Sequence, residues 1–329
     1  MMRIGFILLF IAWIASCSLA YTPLSWTQAQ EQAVSNTIAG VSQTRMLQTL
    51  SNLNGIRSYT YDLTNMTNYE TLIVSQFLSY GLKTNLQSVP LIITDSGKSV
   101  STYRMNNIFA VKEGTDPTLA PVYFTTHWDS VPEGPGMDDN ASGCAAVLEA
   151  ARLCTNLSFK RTIVFVLFAF EEDGLIGSYY HEKQDSPSIY ALINFDAIAY
   201  TSKATNSLSM IPGMPQSSDF ILLAAMPGSR DFSLDFCRIA DAFVPELKYY
   251  CMVLDEAALA NPLLANTLRS DHTAFFSRGV PSLFFTDMAN FRNTNYHKPT
   301  DTIDTLDMPF LERVTKACTA ALFIKAEVQ

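Results

Sequence analysis

Residues 161–170 read RTIVFVLFAF, a strand-like run that is apolar on both of its faces and ends abruptly at Glu171-Glu172. Such a strand belongs in a sheet covered on both sides, which is the habitat of parallel β-structure. Similar runs recur as APVYFTT (120–126), IYALINFD (189–196) and VPSLFFTD (280–287). Between the first two strand-like runs lies SGCAAVLEAARLC (142–154), a helical pattern of the length a parallel crossover requires. LQSVPLIITD (86–95) and YRMNNIFAVKEG (103–114) read as two further strands, the second closing in the turn-forming Gly114-Thr115-Asp116-Pro117. Residues 26–53, 70–82 and about 308–326 have the three-and-four spacing of helices, whereas 201–265 read as irregular. The alternation predicts an α/β fold: a mostly parallel central sheet flanked by helices on both faces. No repeat, low-complexity stretch or Pro/Gly/Ser-rich linker divides it, so a single domain is expected over 21–329.

Charge narrows the partners. The 329 residues hold 22 Lys plus Arg against 31 Asp plus Glu, a formal charge of -9. With no basic run, the chain lacks the clustered cations that displace counterions from nucleic acid, and an anionic membrane surface is equally disfavoured. Residues 1–20 carry one cation, Arg3, then IGFILLFIAWIAS, with Ser18 and Ala20 at the positions inspected by a signal peptidase. The run is short for a membrane span and polar residues follow at once, so it reads as a signal peptide cleaved after Ala20. A secreted or lumenal protein is therefore expected, with Asn65 and Asn156 as glycosylation sequons. Asn140 is formally a third sequon but lies inside a motif that leaves no room for a glycan. After cleavage Cys144, Cys154, Cys237, Cys251 and Cys318 remain. Cys237 and Cys251 are the first pair to test for a disulfide, whereas Cys144 and Cys154 read as small apolar residues of one helix.

Polar residues fall where the strands stop. His127 follows APVYFTT, Glu171 and Glu172 follow RTIVFVLFAF, and Asp196 ends IYALINFD. Open α/β sheets bind ligands beyond the carboxyl ends of their strands, so three strands deliver these side chains to one edge. Each has an ordinary alternative. His127 alone could be a buried, hydrogen-bonded histidine, the glutamates a solvated turn, Asp196 a helix cap, and His297 a loop residue before Pro299. Imidazole nitrogen and carboxylate oxygen are donor types that suit zinc, so a metal centre stands beside these ordinary readings.

Four segments, TTHWDSVPEGPGMDDNASGCAAVLEAARL (125–153), FAFEEDGLIGSYY (168–180), NFDAIAY (194–200) and residues 270–307 from SDHTAFF to DTIDTLD, together resemble the family 28 zinc metallopeptidases. The secreted aminopeptidases of that family are the nearest in motif. The resemblance implies metal ligands His127, Asp139, Glu172, Asp196 and His297 around two zinc ions, with Asp139 as the bridge and a commonly cis peptide bond after it. Asp138 competes for the bridging role. It also implies that Glu171 is the general base, that Tyr296 steadies the tetrahedral oxyanion, and that the substrates are peptides. Asp129 is placed to orient His127, His181 reads as helix-surface, His272 as structural, and Asp271 has no assigned role. The expected activity is removal of N-terminal residues. The rivals are a one-zinc glutaminyl cyclase, a carboxypeptidase or dipeptidase with the same ligands, and a metal-free ectodomain, which would be expected to have lost ligands.

Overall fold

The computed structural model describes residues 21–95, 99–185, 188–204, 215 and 217–329, so the expected signal peptide lies outside the described residues. The described residues open with three helices, α1 (Gln28–Ile38), α2 (Gln43–Asn52) and α3 (Leu63–Ser79). The helical stretch anticipated over 26–53 is thus two helices, each started by a hydroxyl cap: Thr27 Oγ1 accepts from the amide of Gln30, and Ser42 Oγ from that of Arg45. The third helix begins at 63 rather than 70, because the Asp62 carboxylate caps the amides of Thr64 and Asn65.

Strands β1 (Lys83–Asp95) and β2 (Ser99–Lys112) form an antiparallel pair. After them come β3 (Val122–His127), α4 (Gly143–Leu153), β4 (Ile163–Phe168), α5 (Ile176–Asp185) and β5 (Ala191–Phe195). The region read as irregular contains β6 (Ile221–Ala225), α6 (Arg230–Phe243) and β7 (Tyr249–Val253), followed by the short helix α7 (Glu256–Leu259). A second short helix α8 (Thr273–Phe276), then β8 (Ser282–Thr286) and α9 (Met308–Lys325), complete the chain. The eight strands make one sheet in the order β1-β2-β4-β3-β5-β8-β6-β7. Its four middle strands, β4, β3, β5 and β8, are parallel; the β1–β2 pair joins antiparallel at one side and β6 at the other. The sheet is therefore mixed, with a parallel centre.

Period-two burial divides the strands between two apolar layers. Phe124, Phe165, Ile193 and Phe285 pack toward the layer that includes α4, α6 and α9. Tyr123, Val164, Phe168 and Leu192 face Phe275 of α8 on the other side. That second layer also takes in His181 of α5, which is buried against Phe109, Phe168 and Phe275 rather than on the helix surface. Cys144 and Cys154 are buried, and Cys237 on α6 and Cys251 on β7 are free thiols that share a hydrogen bond. Among the described residues no helix is long and apolar enough to cross a membrane.

Asn107 stitches the start of α5 to the end of β4: its Oδ1 accepts from the Ala169 amide and its Nδ2 donates to the Gly177 carbonyl, both at 2.9 Å. A Cβ on Gly177 would collide with Asn107 and with the Ala169 backbone. Gly177→Ala is therefore expected to lower the free energy of unfolding by about 1–3 kcal/mol, the cost of overpacking a closed contact. Denaturant unfolding measures it, and unchanged stability would show that this junction can relax.

Candidate metal centre

Because β3, β4 and β5 run parallel, their carboxyl ends open at the same edge. His127 is the last residue of β3, Asp196 follows β5, and Glu171 and Glu172 lie in the turn after β4. Asp139 comes from the turn before α4, where the Asp139–Asn140 peptide is cis, and His297 from the loop between β8 and α9.

These six side chains gather in two groups around Asp139. Its Oδ1 lies 3.2 Å from His127 Nε2 and its Oδ2 lies 3.2 Å from His297 Nε2. On the His127 side, Nε2 is 3.8 Å from both Glu171 Oε2 and Asp196 Oδ1. On the His297 side, Nε2 is 3.1 Å from Glu172 Oε2. His127, Glu171 and Asp196 each offer a ligand atom within 4.8 Å of the other two, and so do Asp139, Glu172 and His297. His127 Nε2, Asp139 Oδ1, Glu172 Oε1 and His297 Nε2 are buried without a hydrogen bond of regular geometry. Donor atoms that converge within 4.8 Å of one another and lack a hydrogen bond of regular geometry fit a cation at each point.

The electrostatics agree. Burial pushes the Glu171 carboxyl well above its ordinary range despite the neighbouring His127, and pushes Glu172 up to about 7. Burial opposes charge on both histidines, but the carboxylates around them win: His127 is raised well above 6.5, and His297 to about 10. Burial also works against ionised Asp139, yet the two imidazoles hold it below the usual carboxylate range. The site recruits positive charge to a buried set of acids.

Asp138 does not face the histidines. Its Oδ1 accepts from the Ala199 amide at 2.9 Å and its Oδ2 from Asn293 Nδ2 at 2.8 Å. Asp129 does more than accompany His127. Its carboxylate accepts from the amides of Glu171 (3.2 Å) and Glu172 (3.1 Å), while His127 Nδ1 sits 3.2 Å from its backbone carbonyl. One carboxylate thereby fixes the turn carrying both glutamates. Asn140 is buried and engaged with Phe195, Gly143 and Ala197, in keeping with a sequon that carries no glycan. His272 stacks on Phe284 at 4.5 Å, and burial lowers its pKa to about 3, so it is a neutral core residue.

Two supporting residues have no assigned role in the sequence reading. Arg57 is fully buried, and its guanidinium donates to the carbonyls of Leu53, Gly55, Trp128, Pro135 and Gly136. It clamps the loop that joins His127 to Asp139. Nothing local marks it, because three of the five carbonyls lie more than 70 positions away in the chain. Asp301 accepts from the amides of Asp138 (3.0 Å) and Asp139 (3.2 Å). Its position in the HKPTD segment beside His297 was the available signal.

The model of peptidase family M28 matches residues 107–322, and the chain belongs to that family. The uncharacterised protein YfbL of Escherichia coli is 25% identical over 286 residues, covering 80% of this chain and 81% of its own. A probable lipoprotein aminopeptidase of Mycobacterium tuberculosis, LpqL, is 29% identical over 258 residues, 71% of this chain but only 48% of LpqL. Among solved structures, an aminopeptidase from Aneurinibacillus has a TM-score of 0.69 at 16% identity, covering 91% of this chain and 97% of its own. A glutaminyl cyclase of Fimbriiglobus ruber has a TM-score of 0.64 at 16% identity, covering 87% and 96%. At such identities the structures establish the fold alone.

Asp301→Ala is expected to weaken divalent-metal binding by about 10–100-fold, the usual effect of losing a group that orients a ligand, with a native circular dichroism spectrum. Competition with a chromogenic chelator reads the affinity. Wild-type affinity would mean that Asp301 does not hold the Asp139 turn.

Proposed function

We propose that this member of peptidase family M28 is a secreted di-zinc exopeptidase that removes residues from the free amino ends of peptides. The observation that carries the reading is Asp139 lying between the two histidines, one oxygen 3.2 Å from each. His127, Asp139 and Asp196 would hold one ion, and Asp139, Glu172 and His297 the other. Bound there, zinc supplies Lewis acidity and makes water a nucleophile near neutral pH.

Glu171 is the acid of the His127 group left over after these ligands are assigned. Its carboxylate, 3.8 Å from His127 Nε2, is placed to take the proton of the attacking water first and then to hand it to the leaving amine. The water oxygen bonds to the carbonyl carbon, the C–N bond breaks, and the amine leaves protonated. Tyr296, stacked on His297 with ring centroids 3.8 Å apart, would donate its hydroxyl proton to the carbonyl oxygen as negative charge develops. Glu171 and Asp196 also offer charge to the substrate ammonium, which favours a free amino end.

An apolar pocket lined by Leu222, Met252, Leu264, Phe284, Met288 and Phe291 adjoins Asp196 and Tyr296. It supports a preference for apolar first residues. Secretion rests on Arg3, the apolar run behind it and the Ser18-Leu19-Ala20 site.

Unblocked peptides with an apolar first residue are expected to be hydrolysed and their N-acetylated forms to resist. Release of C-terminal residues from blocked peptides would favour a carboxypeptidase. Cyclisation of N-terminal glutamine without hydrolysis would favour the activity named for the Fimbriiglobus neighbour. Glu171→Gln should lower turnover by about 10²–10⁴-fold with zinc content intact. Glu172→Gln should lose zinc first and recover partly in excess zinc. Turnover and zinc content of both proteins decide the roles, and near-normal turnover by Glu171→Gln would overturn the general-base assignment.

A further inference from the structure

Tyr296 can donate to a carbonyl oxygen only if its own proton is not committed elsewhere, and Arg269 is bonded to its hydroxyl. Arg269 follows the helical turn Leu264–Leu268 and, with Asp196 and Tyr296, borders both the apolar pocket and the cleft of the metal centre. Its Nη2 donates to the Tyr296 hydroxyl at 3.3 Å. Its Nη1 donates to Asn266 Oδ1 at 3.4 Å and Asn290 Oδ1 at 3.3 Å. Asn266 is itself oriented, since its Nδ2 donates to the carbonyls of Pro262 and Leu263 at 3.0 Å each and leaves Oδ1 for the arginine. Beside a cleft rich in acids, Arg269 has no carboxylate within 4.0 Å among the described residues.

The chemistry of the two groups sets the direction of the bond. A guanidinium carries only donors, so the tyrosine oxygen must accept. A hydroxyl that accepts from one side keeps its proton for another acceptor. The ring stacks on His297 at an interplanar angle of 14°, which favours this orientation. We propose that Arg269 is a positioning residue for peptide hydrolysis: by occupying a lone pair of the Tyr296 hydroxyl, it presents the hydroxyl proton to the carbonyl oxygen of the scissile bond. This rests on the aminopeptidase reading above and adds to it a residue outside the metal ligands.

The test uses the zinc-loaded protein and two substrates, leucine amide, which has no carboxylate, and the dipeptide Leu-Gly, which has one. Arg269 is exposed, so its substitution leaves the core intact. Arg269→Met, which keeps the length and removes every donor, is expected to lower kcat by about tenfold or more on both substrates with KM little changed. Arg269→Lys, which still donates, should recover part of that loss. In a Tyr296→Phe background, Arg269→Met should cost nothing further, because the group it positions is gone. Wild-type kinetics in Arg269→Met, or an equal loss with and without the Tyr296 hydroxyl, would overturn the proposal. A rise in KM confined to Leu-Gly would also overturn it, by making Arg269 a receptor for the substrate carboxylate. Wild-type protein that binds zinc but hydrolyses neither substrate would instead reject the aminopeptidase reading, and this inference with it.

Discussion

The structure is organised around holding many carboxyl groups together out of water. Asp138, Asp139, Glu171, Asp271, Asp287 and Asp301 are buried at one edge of the sheet, and Glu172 and Asp196 are nearly so. Like charges at this density cannot all remain ionised without cations or protons among them. Burial accordingly raises Glu171 and Asp138 strongly, and brings Glu172, Asp271 and Asp301 to about 7. Amide donors offset part of the repulsion between Asp138 and Asp287: Ala199 and Asn293 donate to the first, Tyr200 and Ala289 to the second. The acids facing the two histidines have the imidazoles for relief, and bound zinc would supply further positive charge there.

The rest of the fold serves this edge. Parallel strands carry His127, the glutamate turn and Asp196 to it, each on a strand buried across its width. Backbone held by buried side chains then fixes the candidate ligands: Arg57 the loop from His127 to Asp139, Asp301 the amides of the Asp139 turn, and Asp129 the amides of the glutamate pair. Arg57 carries a full charge into the core, satisfied by carbonyls and with no carboxylate within 4.0 Å among the described residues, and burial depresses its pKa. Arg292 is a second buried arginine, donating to the Phe220 carbonyl and lying over the Phe220 ring.

Much of this was legible in the chain because strand ends and the converging polar residues coincide. RTIVFVLFAF followed by two glutamates states both the burial of β4 and the change of environment at its end. The region 201–265 was harder to read for physical reasons. β6 and β7 are five residues each, and β7 lies at the sheet edge with its side chains only half-buried, so it lacks the continuous apolar signature of the central strands. α6 was readable in principle, since Phe232, Phe236 and Ile239 recur at helical spacing and are all buried. His181 looks like a surface histidine on a polar helix, and only the tertiary fold puts Phe109, Phe168 and Phe275 against it. Arg57 and Arg269 act on atoms distant in sequence, the one on carbonyls and the other on a hydroxyl, and a local pattern cannot reveal either.

The claim on which the account stands is that the buried acids fold around two cations bridged by Asp139. Calorimetric titration of chelator-stripped protein with zinc at neutral pH tests it most directly, with Asp139→Asn titrated alongside. Two ions per chain are expected, with both sites weakened together in Asp139→Asn. A single ion, or binding that Asp139→Asn leaves unchanged, would contradict the account.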